Sequence, residues 1–456
     1  VGIIRNGITG AICSFLAVTA VAQSIEYHGY FRSGIGGGQW GTDQRPFEVP
    51  GAGAKFRLGN ETNTYIETGF SLDHSKASES EPSFKSHLKF AYETSGHRDW
   101  EGTSANFDDK GVKSADPAHQ VALREVWAEG RNLLGPGSSL WAGKRYYMRE
   151  DLHLLDYYLL DNAGPGAGLE GLDLGPVKLH VAVTRNVPAP EVADLPTQTN
   201  LDLRLAGVEV ASGTSIMPFV IYGASGKRGS QNSKRFETLN GIHAGAFLRQ
   251  QLATELNHQF SVQYGTGLFG ASAAWGASLL NQWGGYGSNG VAENDTAGKK
   301  ARDESSSLRV AEQVTLGKSE SFSGQMVVVY EAIDFGGGMV DVNGSSTKVP
   351  NKTKLMAGVR PQYHLSQNAL VAFELGYTAV TNQLTGDGSL GTQEFADLNM
   401  TKVTLAPAIA PDLGFWSRPQ IRLFATYATW NDEVMNSAVY NDKAGWSVGS
   451  QVEAWW

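Results

Sequence analysis

Trp455 is the side chain that most needs a reason. Counting by twos back from the C-terminus, Ser447, Gly449, Gln451, Glu453 and Trp455 share one face. Trp446, Val448, Ser450, Val452, Ala454 and Trp456 share the other. A bulky ring on an apolar, aromatic-ended face is an anchor at a membrane interface, which accounts for Trp446 and Trp456. The same ring on a polar face is better read as a platform for a ligand. Tyr30 repeats the pattern among Glu26, His28 and Arg32, and Tyr65 repeats it beside Glu67. An aromatic plane accepts the apolar face of a solute, while ionisable neighbours make hydrogen bonds worth roughly 1.5–3 kcal/mol each with its polar edges. Such a surface holds a molecule and lets it go; nothing in it attacks a bond.

Reactive chemistry has little to work with. The chain contains no G-x-S-x-G elbow and no H-E-x-x-H pair, and no serine or acidic dyad stands out as in a phospholipase or protease. Gly34 to Gly38 is glycine-rich, but no Lys-Ser/Thr pair or following helix makes it a phosphate loop. His153 and Asp156 stand three residues apart and could ligate a cation, but no partner clusters with them, and a loop hydrogen bond is the better account. The single cysteine, Cys13, falls in the N-terminal apolar run, where Ile12 before it does not fit a lipidation site. No disulfide, thiolate nucleophile, metal or cofactor is therefore expected, and no enzyme. The formal charge is −9, and −10 once Arg5 is set aside with that run, which argues against nucleic acid.

The elements that position these side chains read as strands of an exported protein. Ile8 to Ala22 is an apolar run of 15 residues behind Arg5, ending in the small-x-small site Ala20-Val21-Ala22. It is short of the roughly 20 residues that span a bilayer as a helix, so residues 1–22 are expected to be a signal peptide and residues 23–456 the mature domain. No later segment reads as a membrane helix, and the mean hydropathy is −0.26. The 55 glycines and the aromatic content (Trp 11, Tyr 16, Phe 19) favour a β-barrel, with aromatics at its two interfaces. Three further segments alternate. Ile421, Leu423, Ala425 and Tyr427 oppose Gln420, Arg422 and Thr426; Phe322, Met326, Val328 and Tyr330 oppose Ser323, Gln325 and Glu331; Ile25, Tyr27, Gly29 and Phe31 oppose Glu26, His28, Tyr30 and Arg32.

A soluble sandwich alternates as well. Aromatics at strand ends and a chain that finishes in a strand favour the membrane barrel, which closes by pairing its first and last strands. The length accommodates about 16–20 strands, wide enough for an aqueous lumen. Gly34 to Gly53, Asp73 to Pro117, Arg185 to Asn200, Phe269 to Ser307 and Gly336 to Lys352 read as long external loops, and Leu316 to Ser321 as a short turn.

Specific blocks resemble the maltoporin family. His28 to Gly36 resembles its opening strand; Lys55-Phe56-Arg57-Leu58-Gly59-Asn60-Glu61, with Tyr65 and Glu67, resembles its second. Leu140-Trp141-Ala142-Gly143-Lys144-Arg145-Tyr146-Tyr147 is the most specific match, followed by Arg149, His153, Asp156, Tyr158, Asp161 and Gly164 to Glu170. Trp416-Ser417-Arg418-Pro419, Arg422 to Trp430 and the closing Glu453 to Trp456 match again. The resemblance implies a homotrimer of 18-stranded antiparallel barrels in outer-membrane lipid of a Gram-negative cell, with the third loop folded into each lumen as a constriction. It also implies facilitated diffusion of maltose and maltodextrins.

Residue by residue, the resemblance places Tyr30, Tyr65, Trp100, Phe260 and Trp455 in an aromatic slide, Trp100 being supplied by a neighbouring subunit. Arg32, Arg57, Arg124 and Arg149 match the basic side of an ionic track, and Glu67, Asp156 and Asp161 the acidic side, with His153 and Tyr158 completing the constriction. Phe260 shares parity with Val262 and Tyr264, so alternation points it at lipid. Leu365 follows Arg360-Pro361-Gln362-Tyr363-His364 where the family's sugar porins carry a tryptophan, which weakens the case for long maltodextrins. A porin for another glycan (sucrose or a β-glucoside), a general diffusion porin, or a receptor whose external loops bind phage are the competing readings.

Overall fold

Eighteen antiparallel strands close on themselves in the computed structural model. It describes residues 24–39, 41, 44–74, 80–94, 106–107, 113–114, 119–186, 198–225, 228–229, 235–236, 240–270, 303–385, 394–431 and 443–456. The expected leader over residues 1–22 and Trp100 lie outside the described residues. The wall begins with β1 (Ser24–Gly38), β2 (Thr64–Asp73), β3 (Ser83–Thr94), β4 (His119–Arg131), β5 (Ser139–Arg145) and β6 (Gly164–Asp173). It continues through β7 (Lys178–Asn186), β8 (Gln198–Ala206, resuming as Val208–Ala211), β9 (Thr214–Ser225), β10 (Asn240–Ala253), β11 (Leu256–Gly267) and β12 (Ser306–Leu316). The last six are β13 (Phe322–Asp334), β14 (Lys352–His364), β15 (Ala369–Thr385), β16 (Glu394–Ile409), β17 (Gln420–Trp430) and β18 (Ala444–Trp455). Both runs of β8 pair with β9, and Gly207 between them takes a left-handed backbone at φ 75°, so they form one interrupted strand. The sheet closes where β1 meets β18, in register from Tyr30 opposite Trp455 to Gly38 opposite Ser447. Among the described residues, the closed wall leaves no edge to pair with another chain.

Burial is inverted relative to a soluble protein. Along β17, Gln420, Arg422 and Thr426 are buried, whereas Ile421, Leu423 and Tyr427 are exposed on the outer face. The outer surface meets hydrocarbon, so apolar side chains belong there. The lumen face holds the buried charges, and these are paired because a lone buried charge is costly. Arg204 meets Asp202 at 2.7 Å, Arg309 meets Glu331 at 3.1 Å, and Glu374 takes both Arg360 at 2.6 Å and Lys402 at 2.9 Å. On the outside, Trp456 lies across Gly29, where an added Cβ would sit 2.1 Å from the indole, with Tyr27 5.4 Å away centroid to centroid.

Three local expectations are corrected. Lys55 to Glu61 is not strand: β2 starts at Thr64, and the preceding stretch lies against the inner wall. This stretch is seated in a groove, with Phe47, Val49 and Ala52 just before it buried against Val380, Leu398, Met400, Ala428 and Trp430. Gly34 to Gly53 is therefore not an external loop, since Gly34 to Gly38 also continues β1. Asp73 to Pro117 is not one loop either, because β3 runs through it. The polar residues that suggested a loop, Lys85 and His87, are the buried lumen face of that strand, while Phe84 and Phe90 are exposed outside. The short turn between Leu316 and Phe322 is as expected.

Candidate functional site

The seam wall and two inner segments build the site. The first segment runs from residue 44 to residue 63, between β1 and β2, and is keyed by Phe56. The ring is fully buried over Gly358 and Gly376, which face each other across β14 and β15. A Cβ at either glycine would stand 2.1 Å or 2.2 Å from the ring, so this slot exists only because both side chains are absent. The second segment runs from residue 146 to residue 163, between β5 and β6. Leu152, Leu154, Leu155, Tyr157, Leu159 and Leu160 join one apolar cluster with the inward side chains Met217, Phe219, Ile221, Phe247, Val327, Val329 and Met356. Arg309 donates to Leu159 O at 3.1 Å, and the two inner segments meet where Arg57 N donates to Leu154 O at 3.1 Å.

The aromatic side chains form a row along the seam. Tyr65 and Tyr30 have ring centroids 6.1 Å apart, and Tyr30 is the register partner of Trp455. Trp455 lies 6.2 Å from Trp416 and 5.9 Å from the edge-on ring of His153. Arg418 covers one face of Trp455 at 4.1 Å, and Arg32 lies over Tyr65 at 5.3 Å. Trp416 is 44% exposed, so its ring offers open surface at one end of the row.

Beside the row runs a band of ion pairs. Arg32 reaches Glu61 at 2.6 Å and Asp156 at 3.2 Å. Arg57 reaches Glu61 and Glu453, both at 3.1 Å, and donates to the Tyr30 hydroxyl at 2.8 Å. Glu453 also takes Arg418 and Arg422, each at 2.9 Å. A second knot centres on Tyr146, whose hydroxyl donates to Glu67 at 2.8 Å and accepts from Arg124 Nε. Arg149 packs over Tyr146 at 3.6 Å and over Tyr158 at 4.5 Å, and Lys89 lies over Tyr146 at 4.9 Å.

The structure thus brings together Tyr30, Tyr65, Trp455, Arg32, Arg57, His153 and Asp156, with Glu67, Arg124, Arg149 and Tyr158 in the adjoining knot. Asp161 accepts the Ala163 N–H at 3.0 Å, a turn contact within its own segment. Phe260 is not brought to the row. Its neighbours Ser261 and Gln263 are buried inside, and it shares the outward parity of exposed Val262 and Tyr264. Alternation overrides the resemblance there. Sequence reasoning missed Trp416, Tyr146, Glu61, Glu453, Arg418 and Arg422 as site residues. The parity that singled out Trp455 also marked Glu453 and Arg422 as inward, but their convergence depends on barrel closure.

His153 is held well below the ordinary imidazole pKa, first by burial and then by the Arg57 guanidinium. The unfolded chain takes up a proton near pH 6.5 and the folded chain does not, so this contribution to stability is present above 6.5 and falls as pH drops below it. The unfolding midpoint should decline below pH 6.5 in the wild type and less in His153→Gln. An equal decline in both would remove His153 as a cause. Among the described residues, no group of three or more His, Cys, Asp or Glu side chains is placed to hold a metal ion.

Several solved structures show a distant likeness. The Acinetobacter baumannii OccAB2 structure matches at 11% identity and TM-score 0.47, covering 96% of this chain and 99% of that one. Pseudomonas aeruginosa OpdK, crystallised with vanillate, matches at 12% identity and TM-score 0.46, covering 96% and 100%. Vibrio cholerae OmpT in its trimer form matches at 10% identity and TM-score 0.37, covering 95% and 99%. The decisive likeness is to a protein family whose description is LamB porin, matched over residues 25–456. Closed barrel, inverted burial and a match over nearly the whole length lead to one statement: the chain belongs to the LamB porin family and is an outer-membrane β-barrel channel.

Proposed function

We propose that this channel conducts linear oligosaccharides, maltodextrins first, by passive facilitated diffusion. The observation that carries the reading is the row Trp416, Trp455, Tyr30 and Tyr65 running beside the ion-paired band. Sugar rings slide with their C–H faces on the aromatics while their hydroxyls exchange partners among Arg32 and Asp156, which the buried Arg57 and Glu453 hold in place. The segment from residue 146 to residue 163 narrows the bore, so that a solute must pass along this side. Trp100, given by a neighbouring subunit of a homotrimer, would extend the row. Leu365, 63% exposed at the turn after β14, offers contact without a π-face where the resemblance expects a tryptophan.

Conduction needs weak binding at successive positions. A dissociation constant of roughly 1 mM, with association near 10⁶–10⁷ M⁻¹s⁻¹, allows release at about 10³–10⁴ per second. Single-channel current in a planar bilayer, with maltohexaose, sucrose and cellobiose titrated in turn, tests the reading. Reversible block strongest with maltohexaose is the expected result. Stronger block by sucrose or cellobiose would reassign the glycan, and no block by any of them would leave a general diffusion porin. Trp455→Ala should raise the half-blocking maltohexaose concentration about 5–10-fold, since one aromatic contact contributes roughly 1 kcal/mol. An unchanged value would take Trp455 out of the path.

A further inference from the structure

Beside the aromatic row is a partly open pocket of about 20 Å³, lined by Arg32, Arg57, Arg360, Arg422, His153 and Glu453 among others. That is room for a single occupant the size of a water molecule or a halide ion. The charges around it do not balance. One connected ion-pair band holds Arg32, Arg57, Arg418 and Arg422 against Glu61, Asp156 and Glu453, an excess of one positive charge, and a separate cluster sets Arg360 and Lys402 against Glu374, an excess of one more.

Two donors lining the pocket have no acceptor. Arg422 Nε is buried without a hydrogen-bond partner, on a side chain only 7% exposed. His153 Nε2 is likewise buried and unpartnered. Arg57 Nη1 lies 3.3 Å from His153 Nδ1, and a guanidinium can only donate, so Nδ1 is the acceptor and the imidazole proton sits on Nε2. Each such orphaned donor is destabilising in a native structure. A water could accept from both, but it would bring two hydrogens of its own. Of the carboxylates in reach, Glu453 serves Arg57, Arg418, Arg422 and Tyr30, and Glu61 is ion-paired with Arg32 and Arg57, its Oε2 held by charge without an aligned hydrogen bond. An anion only accepts, and it also answers the charge excess.

We infer that this pocket is a binding site for one small monovalent anion of halide size, chloride in the cell, held by Arg422 Nε–H and His153 Nε2–H. The ion locks the two arginine-bearing walls to the segment that carries His153. The site is independent of which solute the channel carries, since none of its donors needs a sugar to be satisfied.

Crystals of the purified channel soaked in sodium bromide test this directly. The expected result is an anomalous peak in contact with Arg422 Nε and His153 Nε2. No peak there, or bromide only at surface positions, overturns the inference and leaves a water. A solution measurement runs beside it, with thermal unfolding in chloride compared with gluconate at equal ionic strength. Chloride should raise the wild-type midpoint by about 2–4 °C and leave Arg422→Gln unmoved. A chloride shift of the same size in both proteins would also overturn the inference.

Discussion

Replacing Glu453 by Gln should destabilise the barrel by about 3–5 kcal/mol, the range for removing one partner from a buried charge cluster. Glu453 is 4% exposed and accepts from Arg57, Arg418, Arg422 and the Tyr30 hydroxyl. Glutamine keeps the volume but leaves three guanidinium groups gathered around a neutral amide. Heat unfolding followed by the loss of β signal in detergent measures the effect. The same variant should alter sugar block, because Arg418 lies over Trp455 and Tyr30 loses its acceptor. If stability were unchanged within about 0.5 kcal/mol, the cluster would be hydrated rather than buried, and the energetic argument would fail.

The second large effect is expected at a glycine. Gly376→Val places a branched side chain where a single Cβ already stands 2.2 Å from the Phe56 ring. The neighbour cannot give by a few tenths of an ångström, so Phe56 must leave its slot and carry the backbone around Arg57 with it. The cost should approach that of removing a buried phenylalanine, about 3–5 kcal/mol. Because Arg57 bridges Glu61, Glu453 and Tyr30, the functional signature should be a changed open-channel current together with weaker sugar block. Phe56→Ala is the control: it empties the slot without pushing on it, and should weaken block less than Gly376→Val. Equal block in Gly376→Val and the wild type would mean that the ring does not key the segment.

How much of this could be read before folding differs by residue. Period-two alternation identified β17, β18 and the lumen-facing Trp455, Tyr30 and Tyr65, because in a barrel parity alone decides which side of the wall a residue faces. The same rule told against Phe260, and the structure sides with the rule. Parity is silent where a segment is neither strand nor free loop. Lys55 to Glu61 reads as strand only through its resemblance, and Phe56, Arg57, Leu58 and Asn60 are all buried, so parity gives no direction there. Glu453 could be seen to face inward, but its three arginine partners come from residues 57, 418 and 422, and only closure and the inner segment bring the first of them there. Trp416 sits in a turn, where alternation gives no direction at all.

The seating of the segment from residue 146 to residue 163 has a consequence for redesign. Its leucines fasten to the inward faces of β9, β10, β13 and β14, while the aromatic row belongs to the opposite seam of β18, β1 and β2. The anchoring of the insert and the aromatic row are therefore specified by different residues. One could exchange the insert for a shorter or bulkier one, retaining the leucine anchors, without touching strand number, closure or the membrane-facing surface.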